Sequence, residues 1–370
     1  TTEIYTLSLH DALPIYRHFW RSDYTAHHRE GYLTSLRMCS NRTAGMEMDV
    51  NSENLYGYYL PFGLTYLYRR GDEYLDIFPV WDWALLPGVT SPHQELRMKG
   101  KSGQETLFVG GVSDSLYGVS VMDLDVQQTR AKKAWFWFDR EWVALGAGIQ
   151  STHEAPIVTG INQTLRRGET IVDGQVFSGG NAHLASPSWV WHDSIAYIFP
   201  HAQAVKIKTE TQRGHLQKIF GLGADSVYQS DVFSLWFDHG LKPQEKSYMY
   251  TVVPACGPGE MAAYVQDSPI ALLANTVQLQ ALSHRKLGIT GMVFHEAGAC
   301  TLASGLRIEV DRPCLVLIHE KAKTLSLSDP TATEKEITLT ISPAGGGEGR
   351  SQTLVLPQLG FAGRSVWVPL

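Results

Sequence analysis

The 370-residue chain has no apolar run approaching the ~20 residues that a membrane-spanning helix needs. Cysteine is scarce: Cys39, Cys256, Cys300 and Cys314 lie far apart and form no CxxC pair. Neither a zinc site nor a disulfide framework follows from that spacing. Cys300 and Cys314 could meet within a small β-domain, but two buried free thiols are the expectation. Charge is low as well, with Asp, Glu, Lys and Arg making up 18% of residues and a formal net charge of −6. A general nucleic-acid binder should carry a basic domain, so that class is set aside. An anionic polysaccharide is not excluded, because a local arginine cluster can hold one within an acidic protein.

Motifs for several common chemistries are missing too. GKSGQE at 100–105 lacks the spacing and following helix of a phosphate-binding loop, and HHRE at 27–30 is not HExxH. There is no GxSxG elbow, and no GxGxxG follows a strand and opens a helix. No calcium loop of the DxDxDG kind occurs, and no recognisable signal peptide or internal repeat. The first fifteen residues, TTEIYTLSLHDALPI, have no periodicity that continues beyond Tyr16. They resemble translated adapter sequence and carry no weight in the fold assignment.

What remains is rich in aromatics, 11% of the chain, with ten Trp and sixteen Tyr. Aromatic β-strands or a carbohydrate surface would each account for that. From Tyr16 to about Pro254 one strand pattern succeeds another, as in TLFVGGV, YGVSVMDLDV, KKAWFWFD, WVALGAGI, WVWHDSIAYIFP, VFSLWFDHG and SYMYTVVP. Helix signals are few. EYLDIFPVWDW has helical spacing but a Pro inside, and GEMAAYVQ comes after a Gly-Pro-Gly. After a connector near 254–268 come eight shorter strands, from IALLANT to TLVLPQ, with AGGGEG at 344–349 as a hairpin tip. The expected fold class is all-β: a large multi-sheet β-sandwich over 16–267, then a smaller β-sandwich over 268–370.

The most informative stretch runs from Asn51 to His93, NSENLYGYYLPFGLTYLYRRGDEYLDIFPVWDWALLPGVTSPH. It concentrates Trp, Tyr, Asn, Glu and Arg among turn residues. Aromatic faces stack on pyranose rings, amides and carboxylates read hydroxyls, and guanidinium groups clamp acidic substituents. NSEN also suits a tight turn whose backbone its own side chains satisfy. Arg37 and Arg42 flank the segment and are candidates for binding sulfate or carboxylate. Trp81 and Trp83 could line a cleft or anchor the PGVT loop in the core, and core packing is the favoured reading. His192 and Asp193 are expected to support an inner strand.

Several collinear blocks resemble polysaccharide lyase family 8, the family of chondroitin AC, hyaluronate and xanthan lyases. They are NSEN with LYGYYL, DIFPVWDWALLPGVT, GGVSDSLYGVSVMD, KKAWFWFDREWVALGAGI, WVWHDSIAYIFP and DHGLKP, with LQALSHRKLGITGMVF and LSLSDPT near the end. The resemblance implies three parts: an α/α toroid, a large central β-sandwich and a small C-terminal β-domain. This chain looks like the last two. The family's catalytic Tyr and His and its carboxylate-neutralising Asn come from the toroid, for which no match is found, so the piece by itself is expected to be inactive.

In the family the central domain contributes an acidic residue closely followed by the Asn that opens the NxEN motif. Glu47, Asn51 and Glu53 are the corresponding supporting residues, with Glu47 one residue farther from Asn51 than the family pattern. Substrate-binding candidates are Arg37, Arg42, Asn54, Trp81 and Trp83. The implied reaction is β-elimination of a uronic-acid polysaccharide, with turnover depending on Asn51 more than folding does. The resemblance also implies a secreted or periplasmic location; no cofactor is assigned, although some relatives bind calcium. A secreted, non-catalytic glycan-binding sandwich is one alternative, and a glycoside hydrolase with two opposed carboxylates is another.

Overall fold

The computed structural model describes residues 13–48, 54–221, 223–345 and 347–370. Residues 1–12, most of the set-aside terminal segment, lie outside that description, and the first strand begins at Ile15. All the named strand pairs are antiparallel, and five sheets of four or more strands hold all but two of the named strands. Ile15–Phe19, Tyr24–Arg29, Tyr32–Arg37 and Leu64–Tyr68 form a four-stranded meander. A nine-stranded sheet has Lys246–Pro254, Trp142–Ser151, Thr129–Trp137, Gly118–Val126 and Val109–Ser113 as its successive last five strands. A five-stranded sheet holds the long strands Val205–His215, Val227–Gly240 and Ile157–Leu165. Beyond the helix Met261–Gln266 come a six-stranded and a four-stranded sheet.

The apolar runs KKAWFWFD and WVALGAGI belong to the nine-stranded sheet, which is covered on both faces. Met122, Leu124, Trp135, Trp137, Trp142 and Ala144 join one core with the four- and five-stranded sheets. Their neighbours Val119, Val121, Ala134, Phe136, Val143 and Leu145 join another, with Leu282, Ile289, Val293, Leu315 and Leu317 of the six-stranded sheet. Successive side chains on a strand point to opposite faces, so a strand buried on both sides reads as continuously apolar. The six-stranded sheet repeats the device. Met292, Val316 and Ile318 turn toward the last four-stranded sheet and its Ile308, Ile337 and Leu339. The molecule is therefore a stack of sheets, and seven of its ten tryptophans are buried in it. Core packing accounts for most of the aromatic surplus.

Gly291 marks the close approach of the nine- and six-stranded sheets. A Cβ there would sit 2.6 Å from Val119 and 2.7 Å from Phe136. Gly291→Ala is expected to lower stability by ~1–3 kcal/mol in urea unfolding, as overpacked cores do. Adding Val119→Ala in the same chain should recover part of the loss; equal loss in single and double variants would refute the contact.

Two sequence expectations need correction. EYLDIFPVWDW is not a helix but only the 3-10 turn Phe78–Val80, because Pro79 lacks an N–H to continue one. WVWHDSIAYIFP is a hairpin, not one strand: Trp189–His192 pairs with Ile195–Ile198 around Asp193 and Ser194, both at positive φ. His192 stacks on Phe233 at 4.2 Å, and its Nε2 accepts the Arg167 amide at 3.1 Å. GEMAAYVQ does contain a helix, Met261–Gln266, and all four cysteines are buried and free. This helix helps close the junction between the two groups of sheets. Tyr264 donates to Glu141 at 3.1 Å, and His284 Nε2 meets the same buried carboxylate at 2.7 Å.

Candidate functional site

Asn51 and Glu53 lie outside the described residues. Asn54, which closes their motif, has φ +38°, and its buried side-chain oxygen has no hydrogen-bond partner among the described residues. The next residues form a compact corner. Gly57 N–H donates to the Asn54 carbonyl at 3.1 Å, and a Cβ on Gly57 would stand 2.9 Å from both the Asn54 amide nitrogen and Met46 Cε. Only glycine lets the turn close on these two side chains. Leu55 fastens the corner on both sides: its N–H donates to Ile219 O at 2.8 Å, and its carbonyl accepts from Met98 at 3.0 Å.

Arg37 and Glu47 belong to the same neighbourhood. The Arg37 guanidinium donates to the Gly45 carbonyl. Glu47 lies on the two-stranded ribbon Met46–Met48 and Gly100–Ser102, more than half exposed, with Lys101 Nζ 3.7 Å away. Arg37, Glu47 and Asn54 are thus gathered at one corner.

The other candidates are elsewhere, and the structure gives them supporting work. Trp81 and Trp83 are 3% and 2% exposed and pack edge-to-face at 5.4 Å. Tyr66 stacks on Trp81, and the indoles donate to Gln163 O and Phe78 O at 3.1 and 3.2 Å. No broad face of either ring is open to a sugar, so the core-anchor reading replaces the substrate-binding one. Arg42 is corrected in the same way. Its Nη1 donates to Leu107 O and Thr331 O, both at 2.9 Å, and its Nη2 to Val109 O at 2.7 Å and Pro330 O at 3.1 Å. A guanidinium spent on four carbonyls joins the two groups of sheets rather than a ligand.

Sequence reading missed a basic ribbon beside the Asn54 corner. Along residues 93–101 the side chains of His93, Gln94, Glu95, Arg97, Lys99 and Lys101 are exposed, while Leu96 and Met98 pack on the core. The signal was present as a short period-two alternation in ELRMK, but the segment is too irregular to read as a strand from propensity. Lys218, from the helix Leu216–Phe220, pairs with Glu95 and lies 4.8 Å from the centroid of the Tyr56 ring. An aromatic ring, cations and hydrogen-bonding groups therefore converge here, which suits an acidic sugar.

At the end of the ribbon His93 Nε2 meets Asp82 Oδ2 at 2.8 Å. That hydrogen bond holds the imidazole above its usual range. Burial alone would raise the Asp82 carboxyl; the hydrogen bond and charge of His93, the Ala84 amide and the charge of Lys208 together outweigh it and keep the carboxyl low. Burial pushes the hydroxyls of Tyr59, Tyr66 and Tyr74 up, so none of the three is activated as a base. Among the described residues no three His, Cys, Asp or Glu side chains converge on a metal position, and no helix is long and apolar enough to cross a membrane.

Comparison with known proteins agrees with this architecture. The super-sandwich domain of polysaccharide lyase family 8 matches residues 14–265, and that family's C-terminal beta-sandwich domain matches 271–338. Chondroitinase-AC of Pedobacter heparinus is 38% identical over 364 residues, covering 95% of this chain and 51% of the relative. Xanthan lyase of Bacillus sp. strain GL1 is 31% identical, covering 91% of this chain and 38% of the relative. A chondroitinase AC lyase solved with oligosaccharides superposes with a TM-score of 0.94 at 35% identity, over 99% of this chain and 55% of that one. Paenibacillus xanthan lyase gives 0.88 at 26% identity, over 96% of this chain and 37% of that one. The chain spans about half or less of the length of these relatives. With both domain models matched in order along it, the chain belongs to polysaccharide lyase family 8.

Proposed function

We propose that this chain forms the β-domain side of the substrate cleft of a secreted eliminative lyase acting on uronic-acid polysaccharide of the chondroitin or hyaluronan class. Residues 16–267 and 268–370 are read as its two β-domains, with the catalytic base on a helical toroid facing them. The observation that carries the reading is the basic ribbon with Lys218 over Tyr56, set directly against the corner closed by Asn54. Elimination removes the weakly acidic C5 proton of a uronate, breaks the C4–O bond and leaves a C4–C5 double bond. The leaving oxygen takes up a proton. Such a step needs a neutralised carboxylate and a base held close to C5–H. Cations of this wall hold the sugar, and Glu47, Asn51 and Glu53 are its supporting residues that orient the groups facing them.

The test uses the longer protein carrying the helical domain. Chondroitin or hyaluronan should yield a product with the ultraviolet absorbance of a conjugated uronate. Lys218→Ala should raise KM about three- to tenfold with kcat nearly unchanged, the size of one charge-assisted contact. New reducing ends without absorbance would establish hydrolysis instead, and binding without any cleavage would leave a glycan-binding protein.

A further inference from the structure

We propose that the groove between the strand Ile15–Phe19 and the C-terminal segment 357–367 is a second binding site for acidic sugar units, separate from the wall above. The inference rests on the reading of the substrate as an acidic polysaccharide. The groove has a volume of about 920 Å³, an extent suited to an oligosaccharide. In a protein of net charge −6, its lining includes Arg17 and Arg364 and no carboxylate. Among the described residues neither guanidinium is paired with Asp or Glu: Arg17 lies against Phe19, and Arg364 faces Trp20 at 6.0 Å.

The aromatic groups are placed for stacking. Trp367 and Phe361 are 61% and 57% exposed, in a molecule that buries most of its tryptophans. Trp20 is held by its indole N–H to Gly360 O at 3.0 Å, which fixes one side of the groove to the other. Its floor supplies the sign of a missing partner. His18 lines the groove and is 6% exposed, and its Nδ1 meets Thr25 Oγ1 at 3.0 Å. Among the described residues its buried Nε2 has no hydrogen-bond partner. A buried polar atom in that state calls for an ordered water beneath the groove surface. Burial also pushes this imidazole down to about 4, so at neutral pH it is an uncharged hydrogen-bonding group. Two arginines for acidic substituents and open aromatic faces for the rings, over a floor that includes His18, form one site for a uronate or sulfated sugar. No residue of it belongs to the ribbon or to the Asn54 corner.

The test titrates the 370-residue chain with a chondroitin sulfate hexasaccharide by calorimetry, beside the carboxyl-reduced, desulfated oligosaccharide of the same length. Arg17→Ala with Arg364→Ala should weaken affinity for the acidic probe at the groove at least about tenfold, the size of lost charge-assisted contacts. Trp367→Ala should weaken it severalfold, and added salt should weaken it in the wild type. Lys218→Ala should leave this component in place, which separates it from the cleft wall. Both arginines and Trp367 are exposed, and unchanged thermal midpoints will show that the variants fold. Affinity unaltered by the double arginine change, equal binding of the neutral oligosaccharide, or no binding by the wild type would each overturn the proposal. The lyase reading stands or falls separately, on the unsaturated product of the longer protein.

Discussion

Arg42→Ala is expected to lower the stability of the chain by about 2–4 kcal/mol, measured by urea unfolding. The reason is the number of groups that depend on one guanidinium. Besides the four carbonyls, Nη2 lies 3.4 Å from Oδ1 of Asp23, a fully buried carboxylate. The other Asp23 oxygen is already engaged by Ser40 N–H at 2.8 Å, Ser40 Oγ at 2.6 Å and Thr43 Oγ1 at 2.7 Å. Removing one partner of a buried ion pair costs ~3–5 kcal/mol, and Arg42, 26% exposed, lets water offset part of that. Two of the orphaned carbonyls, Pro330 and Thr331, sit in the LSLSDPT motif. Asp329 shapes that turn by accepting from the amides of Thr331, Thr333 and Glu334 at 2.7–2.8 Å. Amide exchange at 331–334 should therefore accelerate in the variant. Lysine at 42 should recover only a fraction, since an ammonium cannot reach carbonyls on both sides as a planar fork does. A variant as stable as wild type but weaker in polysaccharide binding would restore Arg42 to the substrate site.

Lys133→Met should have the opposite effect, raising stability near neutral pH by about 2–4 kcal/mol. Lys133 is fully buried, its ammonium 5.3 Å from the centroid of the Trp135 ring and hydrogen-bonded to the Gly88 carbonyl. Burial pushes its pKa down from 10.5 to about 7. Such a shift costs on the order of 5 kcal/mol at pH 7 and below, where the unfolded chain holds the proton more tightly. Methionine removes that cost and packs on the indole, while the Gly88 carbonyl left without a donor returns ~1–3 kcal/mol of it. The dependence on pH has a definite sign. A lysine depressed in the folded state makes stability rise as pH climbs from about 7 to 10.5, and above that the cost is gone. The difference between wild type and Lys133→Met should therefore be greatest at pH 7 and fade by pH 10.5. Subtracting the two curves also cancels the buried cysteines and tyrosines that titrate at the alkaline end. A constant difference across that range would mean Lys133 is not the group responsible.

How much of the structure was legible in the chain depended on whether a feature is local. Strand after strand could be read in GVSVMDLDV or EITLTIS, because backbone preference and turn residues act over a few positions. The hairpin in WVWHDSIAYIFP escaped because its turn uses Asp193-Ser194 at positive φ, without the glycine that usually marks such a turn. The helix expected in EYLDIFPVWDW failed because apolar spacing reports burial and not backbone geometry; Ile77 and Trp81 are buried, but in a loop held by Gln163.

The candidate site divides along the same line. That Asn54, Tyr56 and the ribbon from His93 lie in an informative region could be seen from residue types close together in the chain. Which of them share a surface could not. Lys218 reaches Tyr56 from more than 150 positions away, and Arg42 is drawn to Pro330 and Thr331 from nearly 290. An arginine reads the same in sequence whether it faces a sulfate or closes a domain junction; only the number of fixed carbonyls around it decides. All-β character, strand order along the chain and family membership follow from local pattern and collinear motifs. The stacking of sheets, the burial of Trp81 and Trp83, the cost carried by Lys133 and the open groove beside His18 are set by long-range packing, where each side chain's environment is supplied by residues remote in the chain.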